Sequence, residues 1–287
     1  MNIDVFTLHC VVSYCDIDTK YMLRTLSKSF NDIKILCEYE SEYYSPPWCK
    51  ILVGASYHGS LKLVRRELPK FCDDVMNYRE ALSESLTYAC LGGHLPIVKY
   101  LFTLNVRNIL QDCDLYRGLY KACYSGHKDV IEYMFIHGIP DADGGMYYAC
   151  EGGQLDIIEL MISKGVGIED STPRASARGA TRFNDGLRHA CMGCCIEAVK
   201  LMIQKLKQNK QEIFWSWGLT EACRELRNYK SNTKEHSDII KLLINECVKN
   251  GDTITCYNCS RTMEEHMRIC SLPDYGERES SYRRINT

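Results

Sequence analysis

Apolar and polar positions alternate with helical spacing through most of the chain, and one pattern keeps returning. An apolar residue (Leu86, Leu119, Met146, Leu187, Leu219) stands three places before an alanine, and the alanine is followed by cysteine. That spacing puts them on one face of a helix, with small side chains where neighbouring helices press together. Glycine follows the alanine by four residues at Gly59, Gly93, Gly126 and Gly153, where a chain leaving a helix commonly takes a positive φ. A second apolar stripe comes next, as in Ile157, Ile158, Leu160 and Met161, headed by Asp129, Asp156, Glu197 or Asp238. An acid suits a helix N-terminus, and the stripe faces a neighbour. Each unit therefore predicts two short helices joined by a tight turn.

The unit recurs. S-L-T-Y-A-C-L-G-G-H-L-P-I-V-K-Y-L begins at Ser85, G-L-Y-K-A-C-Y-S-G-H-K-D-V-I-E-Y-M at Gly118, G-M-Y-Y-A-C-E-G-G-Q-L-D-I-I-E-L-M at Gly145 and G-L-R-H-A-C-M-G-C-C-I-E-A-V-K-L-M at Gly186, with weaker copies around Ala55 and Ala222. The marker alanines (Ala55, Ala89, Ala122, Ala149, Ala190, Ala222) are spaced by 34, 33, 27, 41 and 32 residues. Self-similarity at such a period is the signature of stacked repeats. Over residues 50–247 the pattern resembles the ankyrin repeat, in the divergent A-C-x-x-G-H-x-D-V-V-K-Y-L form abundant in large DNA viruses of amoebae. The resemblance implies an all-α solenoid of about six helix-turn-helix repeats. The usual Thr-Pro-Leu-His opening is reduced to forms such as Gly-Leu-Tyr-Lys, Cys194 and Leu226 replace the turn glycine, and about nine residues precede Asp238 as an insertion.

Composition narrows the function classes. With 287 residues and 45% apolar composition, the chain can bury a sizeable core. A formal charge of −2 gives no bulk attraction for nucleic acid or anionic membrane, so protein partners are favoured. The apolar stretch 5–15 is too short to span a bilayer, and Asp4 with no preceding Lys or Arg argues against a signal peptide; an intracellular address is expected, and the viral resemblance places it in host cytoplasm. Of the 17 cysteines, Cys90, Cys123, Cys150, Cys191 and Cys223 share one repeat position beside the marker alanine, where a thiol behaves as a small hydrophobe. The others fit no disulfide framework, as expected in a reducing compartment.

Residues 1–45 lie outside the repeat. Val11-Val12-Ser13-Tyr14-Cys15-Asp16-Ile17-Asp18, Leu23-Arg24-Thr25-Leu26 and Ser27-Lys28-Ser29-Phe30-Asn31-Asp32-Ile33 resemble the second half of an F-box, without its Leu-Pro opening. That resemblance implies docking onto the Skp adaptor of cullin-type ubiquitin ligases, with Val12, Leu23, Leu26 and Phe30 divided between a small core and the docking face. An amphipathic cap on the end of the solenoid would show the same pattern. Pro46-Pro47 marks the boundary, with Trp48 as a packing residue.

Two spacings are irregular. The step from Ala122 to Ala149 is short, so residues 137–143 leave no room for a β-hairpin finger. The step to Ala190 is long, and the surplus holds Arg174, Arg178 and Arg182 at intervals of four, either a solvated loop or a basic contact for an acidic partner. His94 and His127 follow the turn glycines; their shared repeat position makes them turn residues rather than metal ligands or bases, and the ankyrin resemblance gives that histidine a hydrogen bond in the turn. After the repeats, Cys256, Cys259, His266 and Cys270 in residues 251–272 carry the spacing C-x2-C-x6-H-x3-C, which can hold one zinc ion. A capping helix with incidental thiols is the other reading, and residues 273–287 read as a polar tail.

The resemblance implies a protein-interaction scaffold, not an enzyme, that binds through a concave surface. The residue before each marker alanine (Tyr88, Lys121, Tyr148, His189, Glu221) is expected to face that surface, with tyrosine and mixed charge suiting a protein epitope. Two other classes remain open: a cysteine-dependent enzyme, which needs a low-pKa thiol beside a histidine, and nucleic-acid binding through the zinc module, which the near-neutral charge disfavours.

Overall fold

A computed structural model describes residues 50–165, 182–228 and 233–251. Among them are thirteen α-helices, one 3-10 turn (Leu68–Phe71) and no strand. The chain divides after Pro140 into two compact units. The F-box-like segment, the zinc-ligand candidates, the polar tail, Arg174 and Arg178 lie outside the described residues.

The first unit holds α1 (Lys50–Tyr57), α2 (Leu61–Glu67), α3 (Val75–Leu91), α4 (Leu95–Thr103), α5 (Val106–Ile109), α6 (Asp112–Ser125) and α7 (Lys128–Ile136). The second holds α8 (Ala142–Glu151), α9 (Leu155–Ser163), α10 (Arg182–Met192), α11 (Ile196–Gln208), α12 (Trp215–Asn228) and α13 (Thr233–Lys249). In each unit the first helices of successive pairs pack side by side, α1 on α3 on α6 and α8 on α10 on α12, and each second helix folds back on its own first helix. Second helices also touch their neighbours: α2 meets α4, α4 meets α7, and α11 meets α13.

Local chemistry sets the helix starts. Asp74 caps α3 by accepting from Met76 N–H at 2.8 Å and Asn77 N–H at 3.1 Å, and Asp141 caps α8 by accepting from Gly144 N–H at 2.9 Å. The predicted turn glycines do take positive φ: +83° at Gly59, +73° at Gly93, +82° at Gly126 and +69° at Gly153. Cys194, in the same place in the next pair, takes φ +56° without being glycine.

The first-helix core is built from the repeat signature. All six marker alanines and the apolar residues three before them are buried, and so are Cys90, Cys123, Cys150, Cys191 and Cys223. Their neighbours explain the thiols. A Cβ on Gly118 would lie 3.3 Å from Cys90 Sγ, one on Gly218 3.1 Å from Cys191 Sγ, and one on Gly186 3.5 Å from Cys150 Sγ. The thiol of one pair thus fills the space that the next pair's glycine leaves, which brings the two helices close. In the first pair both members are serine, and Ser56 Oγ and Ser85 Oγ share a 2.7 Å hydrogen bond in the same buried place.

Two expectations need correction. Leu226, in the place of the turn glycine, lies inside helix α12, which reaches Asn228. Its partner α13 begins at Thr233, so Asp238 stands more than a turn inside the helix rather than at its N-terminus. Arg182 opens α10 and pairs with Asp143 at 3.2 Å, both largely covered, so it belongs to the packing between α8 and α10 rather than to a free basic loop. The compressed step at residues 137–143 behaves as expected: the chain turns at Gly138 (φ +75°), buries Ile139 and enters α8 directly.

Candidate protein-binding surface

The turns between paired helices set how one pair is registered on the next. His94 Nε2 lies 2.7 Å from the carbonyl of Tyr57, and His127 Nε2 lies 3.0 Å from the carbonyl of Leu91. In the second unit Cys195 takes the same repeat position and donates Sγ–H to the carbonyl of Glu151 at 3.5 Å. Each acceptor stands two residues after its marker alanine. It is a helix-end carbonyl with no partner inside its own helix, so the contact satisfies a group that burial would otherwise orphan. Each covering side chain also sits on the preceding turn glycine: a Cβ on Gly59 would strike the His94 ring, one on Gly93 the His127 ring, and one on Gly153 would be 2.8 Å from Cys195 Sγ. Gly92 and Gly193 complete the device, since a Cβ there would collide with the Tyr57 and Glu151 carbonyl oxygens. The histidines are turn residues in geometry as well as in sequence.

On the first-helix face of the first unit, Arg117 on α6 reaches back to α3. Its Nε donates to Thr87 Oγ1 at 3.1 Å, and its Nη2 to Ser83 Oγ at 3.1 Å and Glu84 Oε1 at 2.6 Å. Arg79 Nη2 donates to Asp114 Oδ2 at 3.0 Å, and Ser83 Oγ to Asp114 Oδ1 at 3.1 Å. Burial pulls the Asp114 carboxyl upward, but hydrogen bonds from Arg79, the Gln111 backbone and Ser83 outweigh it and leave the group below its ordinary value. Tyr116 and Tyr120 stack on the same helix at 6.2 Å, and Lys121 Nζ lies 5.8 Å from the exposed Tyr124 ring.

In the second unit the face is a continuous ring-and-charge cluster. His189 stacks on Tyr147 (5.4 Å, 6° between planes), lies at an angle to Tyr148 (6.1 Å), and places Nδ1 3.2 Å from Glu151 Oε2. Arg188 Nη1 donates to Glu221 Oε1 at 3.1 Å, and Arg224 Nη2 is 2.6 Å from Glu221 Oε2. Burial, opposed by the hydrogen bond from Arg182, pushes the Tyr147 hydroxyl up to about 12, so it stays a neutral donor and acceptor at physiological pH.

The five positions nominated from the sequence divide on exposure. Lys121, Tyr148 and His189 are half-buried with accessible edges. Tyr88 and Glu221 do not meet the expectation of exposure: Tyr88 is 5% accessible and Glu221 7%. The two guanidinium groups of Arg188 and Arg224 hold Glu221 down. Sequence reasoning missed Arg117, Arg188, Tyr120 and Tyr147, two places before or five before the marker alanine, although a polar or aromatic residue recurring two places before the alanine was the available signal.

Among the described residues every thiol with a shifted acidity is shifted upward. Burial pushes Cys90, Cys150 and Cys191 far above the ordinary thiol range, and raises Cys194 to about 12. No helix among the described residues is long and apolar enough to cross a membrane. No family model matches the chain, and no curated protein matches it significantly.

Proposed function

We propose that this chain is an ankyrin-type repeat scaffold that binds a protein partner through its first-helix face. What carries the reading is the recurring turn device, in which His94, His127 and Cys195 each bond a helix-end carbonyl of the preceding pair. Such a lock serves pairs that stack in fixed register within each unit, and stacked pairs present a rigid surface at little ordering cost. Contact residues on the first unit are the half-exposed Lys121 with Tyr120 and Tyr124, and on the second unit the half-exposed Tyr148 and His189 with Arg188. Tyr88 and Glu221 support the face from beneath. In this reading the scaffold performs no chemistry of its own.

The F-box-like segment extends the proposal: Val12, Leu23, Leu26 and Phe30 would dock the Skp adaptor of a cullin-type ligase, and the repeat face would choose the protein to be ubiquitylated in host cytoplasm. The gain is effective concentration of target lysines near the ligase. Full-length protein should recover the Skp adaptor in a pull-down with purified components, and Leu26→Asp with Phe30→Asp should abolish recovery. Failure of the unaltered chain to recover the adaptor removes the ubiquitin role and leaves a plain binding module. We further propose one zinc ion on Cys256, Cys259, His266 and Cys270. Metal analysis should find about one zinc per chain, lost in Cys259→Ser, and equal metal content in the two proteins would sink the assignment.

A further inference from the structure

The second helices of the first unit carry a cation-and-ring ladder that the first-helix surface does not use. Arg65 on α2 places its guanidinium carbon 5.1 Å from the centre of the Tyr100 ring on α4. Lys99 on α4 places Nζ 5.7 Å from the centre of the Tyr133 ring on α7. These are one contact made twice, because Arg65 and Lys99 each stand ten residues after a marker alanine and Tyr100 and Tyr133 eleven after the next. The Tyr133 ring is itself fixed by Phe102 (5.4 Å, edge on) and His137 (3.9 Å), and His137 Nδ1 lies 2.8 Å from the Tyr133 carbonyl. The rungs are therefore held in place, while both cations remain exposed.

Charge balance decides what the ladder fits. Elsewhere on these helices acids and bases neutralise each other: Glu67 takes Arg66 and Lys70, and Glu132 faces Lys128 at 3.9 Å. Among the described residues Lys62, Arg65 and Lys99 have no carboxylate partner, so α2 and α4 present a positive strip. Beyond it the sign changes. Glu132 occupies on α7 the place of Arg65 and Lys99, and Ile136, 80% accessible, stands one turn further along.

We propose that this strip docks an extended acidic segment of a partner protein, with an apolar side chain at the α7 end. Packed helices lie about 8–10 Å apart, and a chain extended as polyproline II rises about 3.1 Å per residue with three residues per turn, so every third side chain returns to the same face. Carboxylates three residues apart therefore match the step from Arg65 to Lys99. A cation on a ring face is already partly desolvated and loses little freedom when a carboxylate arrives. Glu132 repels a segment laid in the opposite direction, which gives the site its polarity.

The test uses the full chain and a fluorescein-labelled peptide with aspartates three residues apart followed by leucine, measured by fluorescence polarisation at low salt. A peptide of the same composition with contiguous aspartates and a dT homopolymer serve as comparisons. The spaced peptide should bind more tightly than either, and Arg65→Gln with Lys99→Gln should weaken it by about tenfold, in line with two partly desolvated charges. Lys200→Gln, an exposed lysine at the same repeat position in the second unit, should leave binding unchanged. Circular dichroism checks that the variants fold, which the exposure of all three side chains leads us to expect. No saturable binding of the spaced peptide, equal binding of the contiguous peptide, or undiminished binding by the double variant overturns the proposal. Tighter, variant-sensitive binding of the dT homopolymer would make the strip a nucleic-acid site instead.

Discussion

Replacing Gly93 by alanine tests the turn device at its centre. Gly93 has φ +73°, and a Cβ there would run into the His127 ring, whose Nε2 lies 3.0 Å from the Leu91 carbonyl. Two costs follow. Holding alanine in the left-handed region costs about 1–2 kcal/mol. Displacing the ring forfeits a hydrogen bond worth about 0.5–1.5 kcal/mol net. Gly93→Ala should therefore lose about 2–3 kcal/mol in equilibrium urea unfolding, read by far-UV circular dichroism as a lower midpoint at unchanged slope. Gly165 is the control, since it has φ +100° and a Cβ there would meet nothing within 4 Å, so Gly165→Ala should lose only the backbone part. The decisive measurement is the double variant Gly93→Ala with His127→Ala. Once the ring is gone the added methyl has room, so the pair should cost about 1 kcal/mol less than the two single changes together. Additivity within about 0.3–0.5 kcal/mol would show that the ring does not sit on the glycine, and the lock would lose its basis.

Other substitutions and conditions probe the rest of the structure. Leu119→Ala, at a fully buried position, should destabilise by about 2–5 kcal/mol; Tyr88→Ala should also unfold readily, whereas Tyr148→Ala should leave the urea midpoint nearly unchanged. In a timed alkylation followed by peptide mass spectrometry, exposed Cys72 and Cys113 should label long before Cys90, Cys123, Cys150 and Cys191, and early labelling of any of the last four would contradict their packing. The Asp114 carboxyl has a native pKa below its unfolded value, so its contribution is complete above the ordinary carboxylate range and fades as pH falls through the native value. Asp114→Asn should flatten that part of the acid unfolding curve, and an unchanged curve would mean that the Arg79 and Ser83 contacts contribute nothing.

The recurring features were the legible ones. Marker alanines, apolar partners three before, turn glycines and turn histidines each appear several times in the sequence, so one physical reading had several copies to agree with, and the backbone angles and burial match it. The pairing of Cys90 with Gly118 and of Cys191 with Gly218 was also written in the chain, as glycine four places before the alanine, but its meaning lies between pairs and needs the packed helices to be seen. Exposure was less legible. Repeat position fixes the direction in which a side chain leaves its helix, yet Glu221 is covered by arginines whose reach no register specifies. Element ends without glycine or proline were equally hidden, which is why α13 begins at Thr233 rather than at Asp238.

The positive φ of Cys194 has a consequence for how pairs can be joined. At Gly59, Gly93 and Gly153 the missing Cβ is the socket for the following pair's histidine or cysteine. Cys194 carries a Cβ at that place, and in the following pair helix α12 continues through the position that a covering turn residue would take. Sockets and plugs thus form a grammar: a pair with glycine accepts any successor that carries a plug, whereas the pair with Cys194 accepts only a successor that has none. A duplicated copy of residues 85–117 should be tolerated after the Gly93 turn and rejected after the Cys194 turn, and Cys194→Gly should restore the general socket. Growth and trimming of such an array would follow this rule of succession, with one side chain closing the series to further ordinary units.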